Sequence, residues 1–243
     1  YWQGKSIATN FFASVPFGLN ANEMNAWLKY GGGQALWEEV YKPFNLIAFA
    51  AGNTGVQMGG WFNKEIKSVK DFKGLKMRMP GLGGKVLNKL GATVVTLPGS
   101  DIFQSLKTGA IDASEWIGPY NDIAFGLHKA AKFYYWQGWH EPGTTLECMI
   151  NLTAFNALPN DLKEIVKTDC EAANNDMMAE YTAKNAISLK VLIAKHKVKI
   201  RNFPEPVLRE LERISKGVLT EVTKGNPLAE KVYKSYREFR TNA

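Results

Sequence analysis

The sequence predicts an α/β fold built around a parallel sheet, and two observations carry that prediction. Between residues 74 and 116, short apolar runs alternate with short helical patterns in the order strand, helix, strand, helix, strand. Strands that alternate with helices in this way form parallel sheets with helices on their faces. Later in the chain, residues 160–195 contain neither Gly nor Pro, which predicts one very long helix.

Turn residues separate the first five elements. The predicted elements are strand 75–79, helix 83–90, strand 93–97, helix 101–107 and strand 111–116. Pro-Gly pairs at 80–81 and 98–99 and single glycines at 91 and 109 mark the changes between them. Ligands of such sheets bind beyond the carboxyl ends of the strands, and Arg78 lies near that end of the first strand.

The long helix would extend about 50 Å at 1.5 Å per residue, which exceeds the diameter of a small domain. We therefore expect it to run along two domains. Its apolar residues follow helical spacing: Leu162, Ile165, Val166, Ala173, Met177, Tyr181, Leu189, Leu192 and Ile193. After it, the sequence predicts strand 197–203 and helices 206–224 and 227–239.

Composition argues against several classes of protein. The chain carries 30 Lys and Arg against 23 Asp and Glu, but the basic residues form no dense block and no groove-reading motif accompanies them, so no nucleic-acid partner is predicted. No apolar run approaches the roughly 20 residues of a membrane span. Cys148 and Cys170 are too few for a disulfide framework; two free thiols are the preferred interpretation, and one disulfide is the alternative.

Familiar catalytic motifs are missing from the sequence. In "GLGGKV", Val86 occupies the position where a phosphate loop needs Ser or Thr and a dinucleotide fingerprint needs Gly. There is no G-x-S-x-G elbow and no H-E-x-x-H pair. The three histidines, His128, His140 and His196, are widely separated, which gives little support to acid-base catalysis by histidine.

The strand at 75–79 raises the question of what Arg78 does. Its apolar residues alternate with two cations, Lys76 and Arg78. Lys76 is expected to be solvated or salt-bridged. Arg78 could form a structural salt bridge, or its planar fork could bind a ligand carboxylate through two parallel hydrogen bonds. If Arg78 serves a ligand, we expect its replacement to leave the ligand-free fold nearly unaffected.

Three residues with oxygen donors remain as candidate metal ligands. Gln57 lies in "NTGVQMGGWF", Glu115 in "DASEWIGPY" and Glu141 in "GWHEPG". Carboxylate and amide oxygens favour Ca²⁺ or Na⁺ over zinc. From spacing alone, each could equally be a loop residue or the partner of a lysine.

The aromatic run at 133–139 predicts a strand buried on both faces, although aromatic residues can also stack on a ligand ring. Trp116 and Trp139 are the better pocket candidates because each is close in sequence to a candidate metal ligand. His140 could tune such a site or fill a loop.

Four motifs together resemble the solute-binding subunits of tripartite ATP-independent periplasmic (TRAP) transporters. They are "NTGVQMGGWF", "DFKGLKMRMPGLGGKVLNKLGA", "LPGSDIFQSLKTGAIDASEWIGPY" and "FYYWQGWHEPG". The branch that binds 2-oxo acids and lactate with a metal ion is the most similar one. The resemblance implies a two-lobe periplasmic binding protein fold that closes on a small organic anion, with a long helix spanning both lobes.

The resemblance also implies roles for individual residues. Arg78 would bind the substrate carboxylate, while Gln57, Glu115 and the main-chain carbonyl of Trp116 would hold the cation. Glu141 matches a residue that coordinates the metal in calcium-dependent lactate binders. The expected substrate site is therefore Arg78, Gln57, Trp116, Glu115 and Trp139, and the expected metal site, for Ca²⁺ or Na⁺, is Gln57, Glu115, Trp116 and Glu141.

The lobes implied by the resemblance are residues 1–52 with 115–150, and residues 53–114 with 151–243. Family members carry further N-terminal strands and helices, so the first lobe is expected to be incomplete. Members of this branch can dimerise through C-terminal helices, and the last helix offers an apolar stripe that could form a homodimer or pack on the second lobe. The stripe comprises Leu228, Val232, Tyr233, Tyr236 and Phe239.

The function implied is capture of pyruvate, lactate or a related 2-oxo or 2-hydroxy monocarboxylate in the periplasm, for delivery to membrane permease subunits. Such a protein is not an enzyme. The rival hypothesis is a metal-dependent enzyme acting on a 2-oxo acid, with Glu115 or Glu141 as general base. A third, weaker hypothesis is an interaction module that uses the C-terminal helix.

Overall fold

The computed structural model describes residues 2–242. In chain order, the elements are α1 (Ala21–Tyr30), α2 (Gly33–Tyr41), β1 (Leu46–Asn53), β2 (Gly60–Phe62), β3 (Lys76–Arg78), α3 (Gly81–Lys89), β4 (Thr93–Val95), α4 (Gly99–Thr108), β5 (Ala113–Ser114), α5 (Pro119–Ala124), β6 (Phe133–Trp136), β7 (Thr145–Asn151), α6 (Leu152–Ala157), α7 (Asn160–Ala194), β8 (Lys199–Asn202), α8 (Glu205–Thr223) and α9 (Pro227–Asn242). Short 3₁₀ helices, among them Ile7–Phe12, connect several of them. The predicted α/β class is confirmed.

The strands described in residues 2–242 form two sheets. The large sheet has the order β4-β3-β5-β2-β6-β8, and the small sheet pairs β1 with β7. In the large sheet β3 runs parallel to β4 and to β5, as predicted, whereas β2 runs antiparallel to β5 and β6. We call the part built on the large sheet the large-sheet lobe, and the small sheet with residues 7–41 the small-sheet lobe.

The β3 strand shows why the alternating pattern was informative. Leu75, Met77 and Met79 are buried in one hydrophobic cluster with residues of α3 and α8. Lys76 on the other face is exposed, as expected, while Arg78 on that face is only 2% exposed. One face of the strand therefore builds the core, and the other carries Arg78 into the interior at the carboxyl end of the sheet.

The long helix is confirmed as α7, a single helix of 35 residues. It contacts β1 of the small sheet near one end and α5 of the large-sheet lobe farther along. Cys170 is buried in a cluster with Phe49 of β1, and Leu192 is buried with residues of the large-sheet lobe. The predicted apolar stripe is only partly buried, because Leu162 and Ile165 lie exposed.

The expected lobe ranges do not follow the sheet pairing. Residues 115–150 were assigned to the first lobe, but β6 within that range pairs with β2 and β8 of the large sheet. The reason is that strand pairing is non-local, so it cannot be read from the order of the elements along the chain. Residues 1 and 243 of the expected ranges lie outside the described residues.

The C-terminal helices divide between the two lobes. Helix α8 packs on α3 of the large-sheet lobe. Val232 and Tyr236 of α9 are buried in the cluster that contains Phe11 and Trp27 of the small-sheet lobe, and the Tyr236 hydroxyl accepts a hydrogen bond from the Leu19 main-chain N–H at 2.6 Å. The apolar stripe of α9 was expected to mediate dimerisation or to pack on the second lobe. It packs instead on the small-sheet lobe of its own chain. No helix within residues 2–242 combines the length and apolarity that a membrane crossing requires.

Candidate functional site

The candidate site lies at one end of the large sheet. Arg78 is the last residue of β3, and Glu115 directly follows the parallel strand β5. Because β2 is antiparallel to β5, residues just before β2, including Gln57, reach the same end. Because β6 is in turn antiparallel to β2, the residues that follow β6, including Glu141, also reach it. Four segments far apart in the sequence therefore converge where α/β sheets bind ligands.

A cavity of about 310 Å³ occupies this position, and both lobes line it. From the large-sheet lobe come Gln57, Arg78, the first turn of α3, Glu115 to Ile117, His140, Glu141 and Thr144. From the small-sheet lobe come Asn10, Ala13 and Leu146, and α7 contributes Tyr181. The volume is at the lower end of the range for small-molecule sites.

Arg78 is held by several acceptors within the protein. Its Nε donates a hydrogen bond to the Leu97 carbonyl at 3.2 Å, and its Nη1 donates to the Glu115 carboxylate. The guanidinium also lies 5.3 Å from the centroid of the Trp116 ring. Arg78 and Glu115 are each 2% exposed at the side chain, so they form a buried ion pair. This pairing contradicts the premise that Arg78 supports little of the ligand-free fold.

Glu115 faces a second potential cation on its other carboxylate oxygen. His140 Nε2 lies 3.5 Å from Glu115 Oε2, and the imidazole is 2% exposed. Neither ring nitrogen of His140 has a hydrogen-bond partner among the described residues. His140 therefore belongs to the site and does not merely fill a loop.

Gln57, Thr144 and Glu141 form a hydrogen-bonded chain along one wall. Gln57 Nε2 donates to the Thr144 hydroxyl at 3.1 Å, and that hydroxyl donates to Glu141 Oε2 at 2.6 Å. The main-chain N–H of Gln57 donates to the Glu141 carbonyl at 3.2 Å, which holds the two segments together. Gln57 Oε1 is buried and has no hydrogen-bond partner among the described residues.

The carboxyl group of Glu141 is affected electrostatically by its surroundings. Burial, with a further contribution from the neighbouring Glu115 charge, raises the pKa of Glu141 above its ordinary value. The Thr144 hydrogen bond and Arg78 act in the opposite direction. Glu115 and Glu141 thus lie close enough to affect each other's ionisation, and a cation bound between them would favour the ionised form of both.

Asp122 organises the segment that carries Glu115 and Trp116. Its Oδ1 accepts from the Ile117 main-chain N–H at 3.2 Å, and its Oδ2 accepts from Trp61 Nε1 at 2.8 Å and Tyr134 Oη at 2.7 Å. The Trp61 and Tyr134 rings stack at 3.9 Å. Burial raises the pKa of Asp122 to about 7, although these three hydrogen bonds act in the opposite direction.

Two glycines permit close approaches that shape the site. A Cβ atom on Gly138 would overlap the main-chain carbonyl of Gln57. A Cβ atom on Gly99 would lie 2.6 Å from the indole ring of Trp116. Because real Cβ atoms do not approach other atoms so closely, larger residues at these positions would displace Gln57 or Trp116.

The structure brings together most of the residues predicted for the site. Arg78, Gln57, Glu115, Trp116 and Glu141 all line one cavity. Trp139 does not line it: its ring is 5% exposed, lies in a hydrophobic cluster and stacks on Phe17 at 5.8 Å. Closeness in sequence to Glu141 was a poor guide because the chain turns between these residues.

The sequence analysis missed several lining residues. Thr144 links two of the predicted ligands, yet a threonine in a loop carries no periodic signal. Tyr181 was predicted only as a helix residue, but the Asn121 side chain donates a hydrogen bond to its hydroxyl at 3.2 Å and it lines the cavity. The length of α7 was the one clue, because a helix that spans both lobes passes the cleft between them.

The residues present fit a hard cation. Glu115, His140 and Glu141 each offer one ligand atom, and these atoms lie within 4.8 Å of one another. The unpartnered oxygen of Gln57 in the same cavity adds an amide donor. Two carboxylates and an amide oxygen form the donor set that Ca²⁺ and Na⁺ prefer, and a single histidine is too few nitrogen ligands for a typical zinc site.

Comparison with known proteins agrees with this geometry. A periplasmic protein from Nostoc sp. (strain PCC 7120) that binds monocarboxylate 2-oxoacids is 48% identical over 240 residues, which cover 99% of this chain and 66% of the relative. The chain thus spans just under two thirds of the length of that curated relative.

Two solved structures of TRAP periplasmic solute-binding proteins are also similar. The protein from Colwellia psychrerythraea, with bound calcium and pyruvate, matches with a TM-score of 0.96 and 42% identity over 100% of this chain and 74% of its own. The protein from Pseudoalteromonas atlantica T6c, with bound sodium and pyruvate, matches with a TM-score of 0.95 and 43% identity over the same shares.

A family model supports the same assignment over most of the chain. The model of bacterial extracellular solute-binding protein family 7, DctP, matches residues 1–226. The two-lobe fold with its long helix and the convergence of charged residues in the cleft agree with that match. The chain therefore belongs to the DctP family of TRAP solute-binding proteins.

Proposed function

We propose that this protein captures a small 2-oxo or 2-hydroxy monocarboxylate, such as pyruvate or lactate, together with Ca²⁺ or Na⁺. The observation that carries the proposal is the cluster of buried Arg78, buried Glu115 and half-buried Glu141 around a cavity of about 310 Å³. A buried cation and two neighbouring carboxylates in one small cavity are costly to maintain unless ligands complete them. An anion and a cation together do so.

Arg78 is the group that binds the substrate carboxylate. The described residues that line the cavity include no other Arg or Lys. Its partner within the protein is the Glu115 carboxylate, and a substrate carboxylate is a chemically equivalent replacement. The first turn of α3 also lines the cavity, and the main-chain N–H groups at a helix N-terminus favour an anion there.

Gln57, Glu115, Glu141 and the main-chain carbonyl of Trp116 hold the cation. When bound, the cation supplies positive charge to the substrate carboxylate and its neighbouring oxygen, which a 2-oxo or 2-hydroxy acid presents together. With both glutamates ionised, Arg78, a monocarboxylate and Ca²⁺ give a neutral site, whereas Na⁺ leaves one excess negative charge. If Glu141 does not bind the ion, the same sum gives neutrality with Na⁺.

The rest of the cavity favours a monocarboxylate with an apolar tail. Pro80, Leu82, Leu146 and Ala13 contribute apolar surface, and a second substrate carboxylate would find no second Arg or Lys among the described lining residues. An unpaired buried carboxylate is strongly unfavourable. Dicarboxylates such as succinate should therefore bind much more weakly than pyruvate.

The place of action is the periplasm, and the partners are the membrane permease subunits of a TRAP transporter. The family assignment supports both, because its members are extracellular solute-binding proteins. An enzyme acting on a 2-oxo acid has no support from the family or the relatives. The candidate bases Glu115 and Glu141 are also already engaged with Arg78 and Thr144.

A thermal-shift screen tests the proposal. Pyruvate, lactate, longer 2-oxo acids and succinate are added to the chain with Ca²⁺ or with Na⁺. A ligand at 100 times its dissociation constant should add about 2.7 kcal/mol to the free energy of unfolding. Pyruvate with a cation should raise Tm, succinate should not, and pyruvate should be recovered chemically unchanged; turnover of pyruvate would instead establish the enzyme.

A further inference from the structure

The two cysteines of the chain meet where α7 crosses the small sheet. Cys148 lies on β7, and Cys170 lies on α7. Both belong to one hydrophobic cluster with Phe49 of β1 and Phe155 of α6. The Cys170 side chain is buried, and the Cys148 side chain is half-buried.

A second contact shows independently that α7 lies against this face of the sheet. Gly52 of β1 pairs with Leu146 of β7, and a Cβ atom on Gly52 would lie 2.6 Å from Met177 Sδ and 3.4 Å from Leu146 Cβ. Met177 follows Cys170 by two helical turns, so both residues lie on the same face of α7. Leu146 and Cys148 are two residues apart and so share one face of β7.

The surroundings of these thiols differ from those of a cytosolic pair. The chain belongs to a family of extracellular solute-binding proteins, whose compartment is oxidising. Cys148 pairs with Phe49 across the small sheet, and Cys170 packs in the same cluster, so the two side chains meet at the contact between α7 and the sheet. We propose that Cys148 and Cys170 form a disulfide bond that ties β7 of the small sheet to α7.

The chemistry is thiol–disulfide exchange with a disulfide oxidant, such as oxidised glutathione. The half-exposed Cys148 thiolate attacks the oxidant, forms a mixed disulfide and releases one thiol. Cys170 then attacks the Cys148 sulfur, the Cys148–Cys170 bond forms, and the second thiol leaves. The two electrons reduce the oxidant to two thiols, which take up the two protons lost by the cysteines.

The environment of Cys170 sets this order of attack. Burial, with a further contribution from Cys148, raises the pKa of the Cys170 thiol to about 11. A buried thiol of high pKa is a poor attacker of an external disulfide, because the thiolate is the nucleophile. It can still resolve a mixed disulfide on Cys148, since both side chains belong to the same cluster.

The crosslink would fix one end of the spanning helix against the small-sheet lobe. It joins two elements that each contribute a residue to the cleft, because Leu146 of β7 and Tyr181 of α7 both line the cavity. A disulfide closing a loop of this length should raise Tm by roughly 6–12 °C in a chain of this size.

The experiment uses the full chain without substrate or added metal, so its outcome is independent of the proposed function. One sample is incubated with oxidised glutathione and one with dithiothreitol. After removal of the reagents, the oxidised chain should show no titratable thiol in denaturant, a mass about 2 Da below the reduced chain and a higher Tm. Peptide mapping should recover the peptides containing Cys148 and Cys170 as a linked pair.

The matched control is the double variant Cys148→Ala/Cys170→Ala, which should have the same mass and Tm after both treatments. The single variant Cys148→Ala should keep a free Cys170 thiol, because the first attacker is gone. Two titratable thiols in the glutathione-treated wild-type chain would overturn the proposal. So would glutathione adducts without an internal link, or disulfide-linked dimers as the oxidised product.

Discussion

The two lobes contribute very different chemistry to the same cleft. The large-sheet lobe supplies all the charged side chains that line the cavity, namely Arg78, Glu115 and Glu141, together with His140. The small-sheet lobe supplies neutral residues there, including Asn10, Ala13 and Leu146. The large-sheet lobe therefore supplies the charged groups of the cleft, and the small-sheet lobe supplies the neutral surface opposite them.

This difference explains how a two-lobe cleft can hold buried charges before it closes on a ligand. The large-sheet lobe satisfies them internally, through the Arg78–Glu115 ion pair and the chain from Gln57 through Thr144 to Glu141. Under the proposed function, a bound cation and substrate carboxylate would replace these internal partners. The neutral residues of the small-sheet lobe would need no such exchange.

Arg78→Met is expected to have the largest effect, because it changes the charged residues that the large-sheet lobe contributes to the cavity. It leaves the substrate carboxylate without its partner, and the affinity for pyruvate should fall by about 2–5 kcal/mol, which is roughly thirtyfold to several-thousandfold. Because Glu115 also loses its buried partner, the ligand-free protein should lose about 3–5 kcal/mol of stability. Titration calorimetry and thermal melts on the same samples measure both effects.

The double variant Arg78→Met/Glu115→Gln separates the two effects. It leaves no unpaired charge at this position, so Tm should recover while pyruvate binding stays lost. Arg78→Lys keeps the charge without the planar fork and should restore only part of the affinity. Near-normal pyruvate affinity in the folded fraction of Arg78→Met would show that Arg78 is purely structural.

The position of Arg78 was readable from the sequence, and a salt bridge was one of its two expected roles, but its partner Glu115 was not predicted. Alternation at 75–79 and the βαβαβ rhythm placed Arg78 at the carboxyl end of a strand, because both signals are local. The pairing of β1 with β7, some 100 residues later, and of β6 with β2 depends on contacts that no local pattern encodes. The same limit explains why residues 115–150 were expected in one lobe, although β6 pairs within the large sheet and β7 pairs with β1, and why Thr144 went unnoticed.

The charge of Glu141 provides a sharper test of cation choice. Glu141→Gln removes one negative charge and one carboxylate donor from the site while nearly preserving the shape of the side chain. Affinity for Ca²⁺ should fall by at least about tenfold, or roughly 1.4 kcal/mol, since even groups that only orient metal ligands are worth that much. Affinity for Na⁺ should fall less.

Isothermal titration of each cation, with pyruvate at saturation, compares the two ions in the wild-type chain and in Glu141→Gln. Glu180→Gln is a suitable control, because Glu180 is a surface residue paired with Lys184 on α7. An equal loss for both ions would mean that Glu141 does not discriminate between them. No loss for either would remove Glu141 from the metal site.

Asp122 is a buried carboxylate of the large-sheet lobe that lies outside the cavity, and its stability contribution should depend on pH. Its pKa of about 7 in the folded protein exceeds the unfolded value near 3.8, so the native state binds more protons between these values. The contribution of Asp122 to stability should therefore be largest below about pH 4 and decline as pH rises to about 7, by at most about 1.4 kcal/mol per pH unit.

Chemical denaturation of the wild-type chain and Asp122→Asn at several pH values measures this slope. The difference in unfolding free energy between them should change across pH 4–7 and become constant above it. A constant difference across the whole range would mean that Asp122 stays ionised in the fold, held by Trp61, Tyr134 and the Ile117 N–H.

A substitution among the neutral residues of the small-sheet lobe should have the smallest effect on pyruvate affinity. Leu146→Ala removes apolar surface from the small-sheet side, and because Leu146 is already 44% exposed, pyruvate affinity should change by less than about 1 kcal/mol. Met149→Ala is a matched control, since Met149 lies on the same strand with equal exposure and does not line the cavity. Calorimetry should show that Leu146→Ala binds longer 2-oxo acids relatively better than the wild-type chain does. A loss of pyruvate affinity as large as that of Arg78→Met would contradict the division of roles between the lobes.

The central claim is that a 2-oxo monocarboxylate and a cation complete the charged side of the cleft together. Its most direct test is calorimetric titration of pyruvate into the wild-type chain in two buffers, one containing Ca²⁺ and Na⁺, and one treated with chelator in which K⁺ replaces Na⁺. The account predicts strong binding in the first buffer and at least tenfold weaker binding in the second, or about 1.4 kcal/mol. Equal affinity in both buffers would contradict it.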